Sequence, residues 1–243
     1  MIPAVGRQDL DASWDYQHVL ADLFHALSQP LTTLQCCLSG SLQRPQSAEK
    51  YRKDLQMALR QTESVVFLTS AIRELMGGEA GSQPQPCDLK SCVKEVVDDL
   101  LPIAKSVKLK VSLTGPSVPC PVKLEAAGLR QAIYYVMEAA VSYARPRSAL
   151  TIDVAGTKTE ARFALRIPVP VRKSLTAFLQ PGAADIASLR RRVTLAIARR
   201  TVESAAGRFQ IRGGSHYVTF SIRLPRFPRE PSLPLASPSR CCG

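Results

Sequence analysis

Residues 24–32 read Phe24-His25-Ala26-Leu27-Ser28-Gln29-Pro30-Leu31-Thr32. Around them apolar residues recur as Leu20, Leu23/Phe24, Leu27, Leu31, Leu34 and Leu38. These alternating steps of three and four form the seam of a helical bundle or coiled coil. Gly40 and Pro45 are expected to end this first helix. On a wheel of about 100° per residue, His25 falls about 150° from the stripe centred on Leu20, Leu27 and Leu34. Its wheel neighbours are His18, Asp22, Gln29, Thr32 and Cys36, so His25 is expected to face solvent. Pro30 removes the hydrogen bond to the Ala26 carbonyl and predicts a kink one turn beyond the histidine. An exposed histidine is an ordinary occupant of a helix surface. An accessible imidazole is also a competent nucleophile toward a phosphoryl group.

Downstream, a second helix is expected over 47–76, with Ser47 as N-cap and Gly77-Gly78 as its stop. Its stripe runs Tyr51, Leu55, Ala58, Thr62, Val65, Thr69, Ile72 and Met76. Two long helices with one seam each bury it best as a dimeric four-helix bundle. A Gly/Pro-bearing linker (79–87) follows. The period then changes repeatedly. Helices are expected over 88–104, 125–144 and 186–206, and strands over 107–113, 150–154, 162–169, 209–212 and 217–224. Gly156 and Gly213-Gly214 mark two hairpin turns. The fold class is therefore α+β, a helical hairpin (1–78) followed by an α/β sandwich (88–225). The Pro/Ser-rich tail (226–243) is expected to be disordered.

The chain has 243 residues and a formal charge of +12. The charge is uneven: residues 1–78 carry net −1, 79–150 net +2 and 151–243 net +11. A basic nucleic-acid-binding protein is thus a weak reading of the whole chain, and no aromatic residues interleave with the arginines. The run Arg190-Arg191-Arg192 with Arg199-Arg200 is either a solvated face or a contact for a phosphate, an acidic receiver or a nucleic acid. Seven cysteines with no paired CxxC argue for a reducing cytosol and against a disulfide framework or a zinc site. No apolar run approaches the roughly 20 residues of a membrane span. Cys241-Cys242-Gly243 is not a prenylation box.

The string from Phe24 to Leu34 resembles the H-box of two-component sensor histidine kinases. The order after it fits as well. Residues 88–113 resemble the start of the kinase ATPase domain, Leu129-Arg130-Gln131 through Tyr143 its N-box helix, and 195–224 its closing helix and hairpin. The resemblance covers roughly residues 18–225 and implies His25 as phosphoacceptor. It also implies that Gln29, where the family carries Thr or Asn, positions water for receiver dephosphorylation. A Gln amide offers the donor and acceptor this needs.

The departures are as informative. The acidic residue expected after the histidine is Ala26, which accepts no proton. The N-box asparagines align with Tyr135 and Ala139, and alanine cannot ligate magnesium. Glu138 keeps one acidic position. The expected Asp-x-Gly box is replaced by Ile167-Pro168-Val169-Pro170-Val171. The glycines of the last box, which let backbone approach phosphate, align with Arg192-Val193-Thr194-Leu195. The degenerate nucleotide site thus comprises Glu138, Ala139, Arg192 and Thr194, with no cofactor and no metal expected.

Dimeric phosphotransferases with a vestigial ATPase-like domain are a known variation on this family, and the chain looks like one. The resemblance then implies a cytoplasmic homodimer relaying a phosphoryl group between receiver-domain aspartates through His25, downstream of a hybrid histidine kinase. The alternatives are a kinase-like adaptor that docks receivers or kinases without chemistry, an active histidine kinase with an unusual nucleotide site, and the nucleic-acid-binding protein above.

Overall fold

The computed structural model describes residues 8–9, 16–77, 85–168, 186–213 and 216–227. Two long helices, α1 (Tyr16–Gln43) and α2 (Ala48–Met76), form the expected hairpin. Helix α1 continues through Pro30 and past Gly40 to Gln43, between the two residues, Gly40 and Pro45, that are expected to end it. One glycine costs a helix only about 1 kcal/mol relative to alanine, too little to stop it. Pro45 sets the end instead, because the residue before proline is driven out of the α region. Near Pro30 two carbonyls gain side-chain donors: Thr32 Oγ1 donates to Ser28 O and Thr33 Oγ1 to Gln29 O. The start and stop of α2 are as expected. Ser47 Oγ accepts from Lys50 N–H, and Gly77 adopts φ 95°, the left-handed turn that favours glycine.

The second unit begins at β2 (Cys87–Asp88) and continues through α3 (Leu89–Ser106), β3 (Lys110–Thr114), β4 (Pro121–Val122), α4 (Ala126–Tyr143), β5 (Ala149–Gly156), β6 (Glu160–Pro168), α5 (Ile186–Ser204), β7 (Arg208–Gly213) and β8 (Tyr217–Pro225). Among the described residues, one sheet has the order β1-β7-β8-β6-β5-β3, and β2 pairs with β4 in a separate two-stranded piece. The edge strand β1 is Gln8–Asp9 (paired with Arg212 and Gly213), which the sequence reading groups with the hairpin. Two residues held by backbone bonds leave no periodic signal. Strands β3 and β5 run parallel; the other sheet pairs are antiparallel. Alternate residues of β5 (Leu150, Ile152, Val154) are buried with apolar residues of α3, α4 and α5 in one core. This is a two-layer α/β sandwich.

Asp88 shows how the second unit starts. Its carboxylate accepts from Ser91 N–H and from the Cys120 N–H across the turn. Burial works against the charge, but the hydrogen bonds from Ser91 and Cys120 outweigh it, and the carboxyl sits below its ordinary range. One side chain thus caps α3 and ties it to the loop before β4.

Two local expectations are corrected. Gly156 is not in the turn: it pairs with Ala161 inside the β5–β6 ladder. The turn is closed by Thr157, whose N–H donates to Glu160 O and whose Oγ1 accepts from Glu160 N–H. Glycine is required there for close approach, since a Cβ at Gly156 would lie 2.8 Å from Cys120 Sγ. The tail also starts later than residue 226. Arg226 donates to the carbonyls of Thr157 and Pro119, and Phe227 N–H to that of Pro121. Those chain-end bonds are long-range and cannot be read from a Pro/Ser-rich composition. The rest of the tail, with Cys241 and Cys242, and most of the 79–87 linker lie outside the described residues, as do Gly214 and residues 169–171.

A second core joins the two units. Val19 and Leu23 of α1 and Leu68, Ala71 and Leu75 of α2 close over Val193, Ala196 and Ile197 of α5. The opposite side of α5 (Leu195, Ala198, Val202) belongs to the sandwich core. Every residue from Val193 to Ala198 is therefore buried. A helix segment apolar all round is one covered on both sides.

Candidate functional site

Three helices bound a cleft of about 870 Å³. From α1 come Asp22, His25, Gln29 and Thr32, spaced three and four apart on one face. From α2 come Arg60, Glu63, Ser64 and Phe67, and from the first turns of α5 come Leu189, Arg190 and Arg192. His25 and Gln29 are exposed, as the helical wheel requires, and they share this cleft. Ala26, beside the histidine, is half-buried against the second core. The cleft thus presents one imidazole, one amide and three guanidinium groups against two carboxylates.

The α5 wall is held by specific contacts. Arg192 Nη1 donates to Asp22 Oδ2 at 2.8 Å, one turn before His25. The Arg192 side chain is 15% exposed and that of Asp22 41%, so the pair is partly shielded from water. Arg192 Nε is buried and has no hydrogen-bond partner among the described residues. The Arg190 guanidinium stacks 4.8 Å above the Phe67 ring. At the far end Arg200 donates to the carbonyl of Leu75, in the last turn of α2, where a cation is favoured. Arg199 pairs with Glu203, and Arg191 lies 5.9 Å from the Tyr143 ring. The arginine run is thus not a free basic face. All five of its members contact groups within this chain, and three of them (Arg190, Arg192 and Arg200) contact the hairpin.

The helix aligned with the N-box also reaches the hairpin. Gln131 Nε2 donates to Glu74 Oε1 on α2 at 3.2 Å and to Tyr135 Oη at 3.0 Å. Burial raises the Glu74 carboxyl above its ordinary range, with the Gln131 hydrogen bond opposing. Burial likewise raises the Tyr135 phenol. Ala139 is buried in the sandwich core and carries no donor atom. Thr194 is buried, and its hydroxyl donates to Arg191 O. Glu138 is half-buried at the edge of this surface. Among the four aligned positions (138, 139, 192 and 194) Glu138 is the one carboxylate, Ala139 offers no side-chain oxygen ligand, and Arg192 is already paired with Asp22. Among the described residues no cluster of three His, Cys, Asp or Glu could hold a metal ion.

Sequence reasoning named the α1 residues and, separately, Arg190 and Arg192, but it did not bring the two helices together and it missed the α2 wall. A signal for the contact was present. The uncharged run Val193 to Ala198, apolar but for Thr194, lies between Arg190-Arg191-Arg192 and Arg199-Arg200. A doubly covered helix with charges at both ends places those charges against neighbours. No helix among the described residues is long and apolar enough to cross a membrane.

No family profile and no curated protein matches the sequence. Solved structures do. The Acinetobacter baumannii histidine kinase AdeS matches with TM-score 0.58 at 17% identity, over 83% of this chain and 97% of that one. The histidine kinase ThkA, solved in complex with the response regulator TrrA, matches with TM-score 0.62 at 14% identity, over 90% of this chain and 68% of that one. Full-length ShkA, solved in complex with AMPPNP, matches with TM-score 0.60 at 17% identity, over 89% of this chain and 47% of that one. The chain therefore has the histidine-kinase fold, a helical hairpin followed by an ATPase-like sandwich.

Proposed function

We propose that the chain is a dimeric histidine phosphotransfer protein of two-component signalling. His25 takes a phosphoryl group from a receiver-domain aspartate and hands it to another, without ATP. The observation that carries this is an exposed His25 beside a sandwich in which Arg192, at a position aligned with a nucleotide box, and Gln131, on the N-box helix, are bound to the hairpin. Arg192 is bound to Asp22 and Gln131 to Glu74, so the domain supports the cleft.

The chemistry asks little of this chain. An imidazole nitrogen lone pair attacks phosphorus, an N–P bond forms, and the aspartyl O–P bond breaks with the electron pair leaving on the carboxylate. The attacking nitrogen carries no proton, so no base is needed at Ala26. Receiver domains bring their own magnesium. The complex of ThkA with a response regulator supports receivers as partners. Gln29, four residues beyond His25, is placed to hold a water against the acceptor.

The test is transfer of labelled phosphate from a phosphorylated receiver. The expected product is an acid-labile, base-stable label on the chain that His25→Ala abolishes. Equal labelling of that variant would falsify the assignment. Receiver binding without any label would leave the adaptor reading in its place. Tight Mg·ATP binding by calorimetry would overturn the nucleotide-free mechanism.

The dimer rests on a second observation. Phe24, Leu31, Leu38 and Leu42 are exposed on one stripe of α1, as are Tyr51, Leu55, Leu59 and Val66 on α2. Two leucine-rich stripes on one hairpin suit a second copy, which would complete a four-helix bundle. Sedimentation should give twice the 26.5 kDa chain mass. The double variant Leu31→Glu/Leu55→Glu should sediment as a monomer. A monomeric native chain at micromolar concentration would reject the bundle.

A further inference from the structure

Cys87 Sγ and Cys92 Sγ lie 3.0 Å apart, inside the normal separation of two non-bonded sulfurs. Their positions explain the contact. Asp88 is the N-cap of α3, so Cys87 precedes the cap and Cys92 is the fourth helical residue. Side chains at these two positions pack on each other and fix the angle at which the chain enters a helix. Most proteins fill them with apolar groups. Here both are thiols, and the packing contact is one that oxidation can turn into a bond. We propose that Cys87 and Cys92 form a redox-sensitive staple, a dithiol that closes to a disulfide and locks the start of α3.

Three further observations support this. An opening of about 250 Å³ reaches both sulfurs, lined by Cys87, Asp88, Ser91, Cys92, Glu95 and Arg130. Cys87 is the more accessible of the two, since Cys92 is buried. The helix start is already fixed by Asp88, whose carboxylate accepts from both the N–H and the hydroxyl of Ser91. Closing the bond therefore needs a shift of two side chains and no rearrangement of backbone hydrogen bonds.

A disulfide-bearing small molecule such as glutathione disulfide is a sufficient oxidant. The Cys87 thiolate attacks one of its sulfurs, the S–S bond breaks, and one glutathione leaves as thiolate. Cys92 then loses its proton and attacks Cys87 Sγ, and the second glutathione leaves. Two protein thiols lose two electrons and two protons; one glutathione disulfide becomes two glutathione thiols. Burial pushes the Cys92 thiol up to about 12, which suits Cys87 as the first sulfur to react. The bond would staple the strand that receives the linker from the hairpin to the helix that follows it. It lies outside the His25 cleft and does not depend on the phosphotransfer reading.

The test uses the full chain in glutathione buffers of increasing oxidised fraction, quenched by alkylation. Lys90 lies between the two cysteines, so trypsin separates them and a disulfide appears as a cross-link between the peptides ending at Lys90 and Lys94. Its formation should remove about 2 Da from the intact chain. It should be lost in Cys87→Ser and in Cys92→Ala. In Cys92→Ala a stable glutathione adduct should accumulate on Cys87. Backbone amides in the first turn of α3 should exchange several-fold more slowly in the oxidised chain. Full alkylation of both cysteines in the most oxidising buffer would overturn the proposal, and so would a cross-link of either one to Cys120.

Discussion

Leu75→Ala is expected to loosen the joint between the hairpin and the sandwich and to leave the sandwich folded. Leu75 is fully buried and packs with Leu23 of α1 and with Val193 and Ile197 of α5. Truncating such a leucine costs about 2–5 kcal/mol, depending on how far the cavity collapses. The second core is small, so the loss falls on a small unit. The Arg200 bond survives, because it reaches the backbone carbonyl of residue 75. Amides of α2 near Leu75 should exchange with solvent about 10- to 1,000-fold faster. Amides of β6 and β8, paired deep in the sheet over nine residues each, should keep their protection. Phe220→Ala makes the contrast. Phe220 is fully buried in the sandwich core, and its loss should lower protection across the sheet. Equal loss of protection in both regions from Leu75→Ala would mean that the two cores unfold as one.

The architecture was legible because its signals are local. The seam of α1, the cap at Ser47, the stop at Gly77 and the alternation of β5 each depend on residues within one element. The errors share one cause. Gly40 reads as a stop and Gly156 as a turn only if a glycine is judged by its own preference. A single glycine costs a helix too little to stop it at the first, and the close approach of Cys120 explains the second. The site divides in the same way. His25, Gln29 and Asp22 share a helix face, and a wheel finds them. Arg192 reaches that face across 170 residues of chain, and no periodicity reports such a distance. The formal charge was a misleading guide for the same reason. A sum over residues 151–243 counts Arg190, Arg192 and Arg200 as free cations, whereas the fold sets them against Phe67, Asp22 and the end of α2. Composition gives a charge; the pairing decides whether a partner can feel it.

The Asp22–Arg192 pair is the contact on which the cleft's shape should depend most. Arg192→Asp sets two carboxylates face to face on a mostly buried site. Breaking a buried pair costs about 3–5 kcal/mol, and the 41% exposure of Asp22 brings this toward about 1–3 kcal/mol. Asp22→Arg places its new guanidinium beside Arg192 and should cost a similar amount. The doubly exchanged chain, Asp22→Arg with Arg192→Asp, restores opposite charges across the same gap. It should recover about 0.5–3 kcal/mol of the summed losses. Raising salt should soften each single variant and weaken the native pair only slightly, since screening acts most on exposed charge. The readout that separates a wall from a mere stabiliser is transfer to His25 measured at a temperature where every variant is folded. If the pair shapes the cleft, the single variants lose transfer rate while folded and the exchanged chain regains it. If the pair only stabilises, all folded variants transfer alike. Simple additivity of the two single losses would show that Arg192 acts on α1 without Asp22. Its buried Nε, without a hydrogen-bond partner among the described residues, would then be the next group to test.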